Sequence, residues 1–332
     1  MLFIARNSLR YETDSERIPV YMQDWFIELA AGKAGAVRVT VADNNRPVAS
    51  FVFSPYQNPL GMKQAYNLPW ARVSGPIIDE AFDPRRRTQI VRDLVDQLPA
   101  DRSYFLTLSN EQDFNAFLAA GFSGETEENF EIPFERALTW ERQLSAMARR
   151  HVRRAKEDLD LSTLDPAEFI RIYGAHLAIR RRKPYSELSI AHDILVEAIR
   201  RGQARVTAAR RRNTGEIDAA VACLWDDDKY YYWMTTRRPP VIGHPAPHQG
   251  AVKLLLHAAI KHAHQKGRTF DFDGVTSTSI AQLYAGMGGI RSFRYKVRRV
   301  TTCEQVAGLF RPGVQSVLRS TLGRLVPLKL NR

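Results

Sequence analysis

One short stretch carries an informative hydrophobic–polar alternation. Along Arg268-Thr-Phe-Asp-Phe-Asp-Gly274 the pattern predicts a strand with Phe270 and Phe272 on one face and Asp271 and Asp273 on the other. Two carboxylates on one face of a buried strand are costly unless they find partners or keep their protons. The strand ends in Gly274 and a Ser/Thr turn, which marks that end as a place for chemistry.

Helical spacing predicts a helix over 139–159, with Leu144, Met147, Val152, Ala155 and Leu159 as its apolar stripe. Asp165-Pro166 with Glu168 reads as a capping box opening a helix to about Arg182, and Ser186 caps another that stops at Gly202. Three strands follow over 204–211, 217–225 and 230–236, joined by turns as an antiparallel meander. In the last of them Tyr230 and Tyr232 share one face and Tyr231 and Trp233 the other, so one pair is core and the other is free to border substrate. A helix over 250–265 leads into the acidic strand. A short helix over 280–285 and a strand over 292–299 close the set.

The first half sketches the same order. Its elements are a helix over 21–31, strands over 37–42 and 48–54, a helix from Asp83-Pro84, a strand over 103–108, a helix over 111–120 and a strand over 130–133. A shift of 166 residues sets Arg102 on Arg268, Phe114 on Ile280, Phe117 on Leu283 and Ala119 on Ala285, as an internal duplication would. Two α/β lobes, 1–135 and 136–302, are therefore expected, each able to bury its own core. The tail, 303–332, carries Val314, Val317, Leu318, Leu322 and Leu325 at helical spacing beside Arg319 and Arg324. Such a stripe either rests on a membrane surface or docks on the protein's own core.

Charge narrows the partners. The net charge of +12 comes mainly from arginine clusters at 85–87, 149–154, 180–183, 210–212, 237–238 and 298–299. That sign favours nucleotides, tRNA, sugar nucleotides or anionic lipid head groups. Arg150, Arg153 and Arg154 share a helix face by their spacing and either clamp a phosphate or form a solvated face. Lys183 and Tyr185, at the end of the next helix, are candidates to line the same cleft. Cys223 and Cys303 have no metal spacing, and His244 and His248 lack enough companion ligands, so no metal is expected. Without an apolar run of about 18–20 residues or a signal h-region, the expected location is cytoplasmic, at most apposed to the inner face of a membrane.

Four segments resemble the GNAT acyltransferase superfamily and, within it, the FemAB-like branch with its two tandem GNAT-like lobes. Ile18-Pro-Val-Tyr-Met-Gln-Asp-Trp25 resembles that branch's opening P-x-x-x-Q-x-x-W segment, one residue shorter between Gln and Trp. Ala148-Arg-Arg-His-Val-Arg-Arg-Ala155 resembles its basic helix, and Phe270-Asp-Phe-Asp-Gly274 its F-D-F-E-G-S strand. Gly288-Gly289 with Phe293–Tyr295 resembles its closing segment. The chain departs from the pattern at Asp273 and Val275, where relatives have Glu and Ser. It also has Ala285 and Gly286 where relatives carry a basic residue, so a donor or acceptor contact is either lost there or supplied by Arg291. The loop at 243–250 lacks the Q/R-x-x-G-x-G/A signature of CoA binding.

The resemblance implies a fold of two tandem lobes, each a mixed, largely antiparallel sheet flanked by helices. It also implies an N-acyltransferase acting on an amino group of a cell-envelope sugar, a peptidoglycan-type precursor or another lipid-linked saccharide. Acyl-CoA is the implied donor and aminoacyl-tRNA the alternative. A non-catalytic module holding RNA or anionic lipid is the competing class. Asp273 is the candidate base or amine anchor, unless it only caps the next helix, and Asp271 either joins it or pairs with an arginine. Tyr284 and Tyr295 are candidates to protonate a leaving group, or are packing residues. Tyr232, Gly274, Thr276 and Ser277 complete the candidate binding set.

Overall fold

The computed structural model of the protein describes residues 18–43, 46–78, 82–184, 186–240 and 245–302. The first half runs α1 (Asp24–Ala31), β1 (Val37–Asp43), β2 (Arg46–Gln57), β3 (Lys63–Tyr66), β4 (Ile77–Ile78), α2 (Pro84–Asp96), β5 (Arg102–Leu108), α3 (Glu111–Ala119) and β6 (Ser123–Ile132). The second half opens with α4 (Trp140–Gln143), α5 (Ala146–Asp158), β7 (Leu159–Thr163), α6 (Pro166–Ile179) and α7 (Leu188–Arg200). It continues with β8 (Ala204–Arg211), β9 (Ile217–Trp225), β10 (Lys229–Arg237), α8 (Ala251–Gln265), β11 (Thr269–Asp271), α9 (Thr278–Gly286) and β12 (Ile290–Arg299).

All twelve strands form one sheet in the order β1-β2-β3-β5-β12-β6-β11-β10-β9-β8-β7, with β4 on β2. Two neighbouring pairs are parallel, β3 with β5 and β10 with β11, and each is joined through a crossover helix, α2 or α8. The run β3-α2-β5-α3-β6 thus recurs as β10-α8-β11-α9-β12. Each run lends its last strand to the other: β6 pairs with β11, and β12 pairs with β5. The two lent strands also pair with each other, from Ile290 opposite Glu131 to Arg298 opposite Ser123. The sheet's centre is therefore built from both halves.

Three apolar clusters hold the helices on. Tyr21, Trp25, Leu195 and Trp233 belong to the cluster under α1, α6 and α7. Phe270, Phe272, Tyr232 and Leu255 belong to the one under α5, α8 and α9, and Phe51, Tyr104 and Phe117 to that of the first half. The alternation expected of Tyr230–Trp233 is present, but both faces are core, so Tyr232 is buried against Phe270 and Tyr284.

Other expectations shift locally. The helix expected over 139–159 is two, because Ser145 accepts the Ala148 N–H at 3.1 Å and starts a new helix. Asp165 caps α6 as expected, accepting from Ala167 and Glu168. The N-cap of α7 is Glu187, without a side-chain bond, rather than Ser186. The strand expected over 130–133 is the far longer β6, because its Glu127 and Glu128 meet Lys296 and Arg291 on β12. The tail from 303 on, with Cys303, lies outside the described residues.

Candidate active site

Three residue pairs join β11 to β10, ending at Tyr231 opposite Asp271, whereas β10 runs on to Arg237. The register between β10 and β9 shifts at the same level, between Tyr231 and Met234. The parallel strands therefore part where Asp273 stands. Asp273 has φ +64°, a left-handed conformation that a short polar side chain tolerates, and Gly274 follows at φ +98°. This sharp turn brings the Asp273 N–H back to Asp271 Oδ1 at 2.7 Å. Asn129 of β6 locks the turn, donating from Nδ2 to Asp271 Oδ1 (3.0 Å) and accepting the Gly274 N–H at Oδ1 (2.8 Å).

The two acids share an arginine. Arg294 of β12 donates from Nη2 to Asp271 Oδ1 (3.1 Å) and Asp273 Oδ1 (2.8 Å), while Arg72 Nε reaches Asp273 Oδ2 at 2.8 Å. Lys229 Nζ lies 2.7 Å from Glu131 Oε1 and 4.0 Å from Asp271 Oδ2. Three carboxylates thus face three cations at the point where strands from the two halves meet. Among the described residues, Tyr21 is fully buried beside this group, and its hydroxyl makes no hydrogen bond.

The same burial has opposite outcomes at the two aspartates. At Asp271 burial pushes the carboxyl up, but Arg294, Lys229 and the hydrogen bonds from Asp273 and Asn129 outweigh it and hold the group below its usual range. At Asp273 burial also pushes up, and Arg72 and Arg294 only partly offset it, so its carboxyl titrates above the usual range. Asp271 is thereby a fixed carboxylate and Asp273 the more basic one, the split expected of paired groups with different tasks.

The remaining candidates fall into separate places. Tyr284, on α9, packs its ring 4.4 Å from that of Phe272 and is kept protonated by burial and by the nearby Asp273 charge. Tyr295 follows Arg294 on β12 and so faces the other way, packing on Phe114 at 5.0 Å away from the acids. Ser277 is the N-cap of α9, accepting the Ile280 N–H, and Thr276 is exposed beside it. Arg150, Arg153 and Arg154 lie exposed on α5, and Lys183 lies exposed beyond α6. Among the described residues none of these four bonds to the acids. Tyr185 and His244 lie outside the described residues. Sequence patterning missed Arg294, Arg72, Asn129 and Lys229. Only Arg294 carried a signal, as an arginine inside an alternating aromatic strand.

Two N–H groups at the start of α8 are taken up by the protein itself. The His248 ring accepts the Gly250 N–H at 3.0 Å, and the His248 carbonyl accepts that of Ala251 at 3.2 Å. Buried Asp218 accepts the His248 N–H at 2.8 Å and is paired with Arg211 and Arg238. A Cβ on Gly250 would stand 2.5 Å from the His151 carbonyl of α5. Gly250→Ala should therefore push α5 from α8 and cost about 1–3 kcal/mol, the range for overpacking, read by urea denaturation. Among the described residues no group of three His, Cys, Asp or Glu is set to hold a metal, and no helix is long and apolar enough to cross a membrane.

Residues 142–299 match the family model for the acetyltransferase (GNAT) domain. Among solved structures, FemX superposes with a TM-score of 0.58 at 11% identity, covering 79% of this chain and 87% of that one. L-PGS from Bacillus licheniformis gives 0.51 at 12% identity, covering 86% and 90%. A conserved protein of unknown function from Bacteroides thetaiotaomicron gives 0.56 at 7% identity, covering 83% and 89%. At such identities the likeness is one of fold. No curated protein matches the chain. Residues 142–299 are thus similar to the GNAT acetyltransferase domain, and the chain shares its fold with FemX.

Proposed function

We propose that the protein transfers an acyl or aminoacyl group to a primary amine of a cell-envelope precursor, an amino sugar or a peptidoglycan-type or lipid-linked saccharide. Asp273 holds that amine and takes its proton. The observation that carries this reading is the pair of buried aspartates, split in basicity, at the parting of β10 and β11. Acyl transfer needs the amine deprotonated, its lone pair then attacking the carbonyl carbon, and donors for the oxyanion formed there. A bulge such as the one between Tyr231 and Met234 turns backbone groups out of the ladder and supplies donors of that kind. Collapse of the intermediate expels the donor's thiolate or alkoxide, and Tyr284 is the nearby acid to protonate it.

The resemblance to the FemAB-like branch supports the acceptor class, and the GNAT domain supports acyl-CoA as donor. The geometry at α8 favours a second reading, aminoacyl-tRNA, since the Gly250 and Ala251 N–H groups that would meet a pyrophosphate are bound to His248. Direct binding of acetyl-CoA and of an aminoacyl-tRNA to the purified protein, at two salt concentrations, tests both. Saturable, weakly salt-sensitive CoA binding supports the first. Binding that prefers charged tRNA and weakens steeply with salt supports the second. Binding of neither contradicts the catalytic reading.

A further inference from the structure

Asp273 is held by two arginines built in different ways. Arg294 stands on a central strand, its side chain 7% exposed, and serves both aspartates through one nitrogen. Its departure would strand two buried carboxylates. Arg72 comes from the loop between β3 and β4, its side chain is 45% exposed, and its one link to the site is Nε to Asp273 Oδ2. Its departure returns a guanidinium to water and frees one oxygen. The loop backbone is pinned on both sides of it. Asn67 Nδ2 donates to the Arg72 carbonyl at 3.1 Å, Trp233 Nε1 to the Trp70 carbonyl at 2.9 Å, and the Ser74 N–H to the Thr107 carbonyl at 2.9 Å. The Arg72 side chain can therefore swing while its loop stays.

We propose that Arg72 is a displaceable counter-ion standing in for the acceptor's ammonium group, so that the site opens by exchanging one cation for another at Asp273 Oδ2. This deepens the function proposed above, by naming a protonated primary amine as the group the site admits and Arg72 as its gate. Two further observations point the same way. The Tyr21 hydroxyl, fully buried and unbonded, lies in the field of Asp273, Arg72 and Arg294. An orphaned buried hydroxyl is costly. An ammonium carries three donors, so one that reaches Asp273 Oδ2 has others for the Tyr21 oxygen. A groove of about 340 Å³ also lies across β5, β12 and β6, lined by Phe105, Thr107, Glu125, Lys296 and Arg298. The Thr107 N–H donates to Asn67 and its carbonyl accepts from Ser74, so this groove abuts the loop that carries Arg72.

Charge makes the exchange selective. Without Arg72, Asp273 keeps only an arginine that it shares with Asp271, in a site nearly closed to water. A neutral or anionic group arriving there leaves that carboxylate uncompensated, whereas an ammonium restores the balance.

The test uses thermal unfolding of the full chain with methylammonium chloride as probe, against tetramethylammonium chloride at equal concentration. Tetramethylammonium has the charge but no N–H. Arg72→Ala should melt at a higher temperature in methylammonium, in a saturable manner. At a tenfold excess over the dissociation constant the folding equilibrium gains about an elevenfold shift. The wild type should show the same preference for methylammonium but need more of it, because Arg72 must first be displaced, and the double variant Arg72→Ala/Asp273→Asn should respond equally to both salts. Arg72→Gln, which keeps the stem of a half-exposed side chain, provides the same reading if the alanine variant does not fold. Equal response of the single variants to both salts overturns the proposal, as does a methylammonium gain that survives in the double variant. The readout involves no donor and no turnover, so it stands or falls separately from the reaction proposed above.

Discussion

Arg294→Leu should cost the fold about 3–5 kcal/mol, the range for breaking a buried ion pair by removing one partner. Arg294 is the only group bonded to both Asp271 and Asp273 among the described residues, and leucine would leave the two carboxylates facing each other with half their compensation gone. A control stands three residues away on the same strand. Arg291 is 66% exposed and paired with Glu128 at 2.6 Å, and its replacement by leucine should cost about 0–1 kcal/mol because solvent already screens the pair. Chemical denaturation of the two variants reads the contrast, and equal losses would contradict it. The Arg294→Leu deficit should be largest at neutral pH and narrow toward about pH 4, where stranded carboxyls take up protons. In the wild type the two aspartates pull in opposite directions. The depressed Asp271 carboxyl contributes stability that is lost as pH falls below 3.8, whereas the raised Asp273 carboxyl loses stability as pH climbs from 3.8 through its folded value.

Asp273→Asn carries the largest expected effect on function, a loss of about 10²-fold or more in transfer, the usual contribution of a positioned base. Asparagine keeps the shape and tolerates the left-handed backbone, so the turn and the Asn129 lock persist. Arg294 keeps Asp271 as partner and Arg72 is already half in water, so the variant should stay folded. The wild-type rate should rise with pH through a pKa above the ordinary aspartate value of 3.8, because the raised Asp273 carboxyl must be ionised to take a proton. Initial rates across pH check this, and an acid limb at or below 3.8 would exclude Asp273 as the base.

The acids were legible and their partners were not. Alternation set the faces of Phe270 and Asp271 from local sequence alone, but the strand expected to run through Asp273 stops at Asp271, and a left-handed turn places Asp273. The need of two buried carboxylates for compensation was equally plain. What compensates them comes from tertiary pairing: Asn129 lies 142 residues away and Arg72 201 residues away. Both arrive because β6 and β12 change places and because an irregular loop folds over the junction, which no periodicity encodes. Much of β6 reads as a charged surface run until Glu127 and Glu128 find their cations on β12. The basic helix, conspicuous in sequence at Arg150, Arg153 and Arg154, stays on the outside of α5. The pull of a charge run on the eye exceeds its structural weight.

The most direct measurement mixes wild type or Asp273→Asn with acetyl-CoA or alanyl-tRNA and a panel of amino sugars and amino-terminated peptidoglycan fragments, and follows products by mass. The account predicts acylated amine with one of the two donors in the wild type, and none above background with the folded variant, although it still binds that donor. Equal product from the folded Asp273→Asn variant would contradict the central role of Asp273.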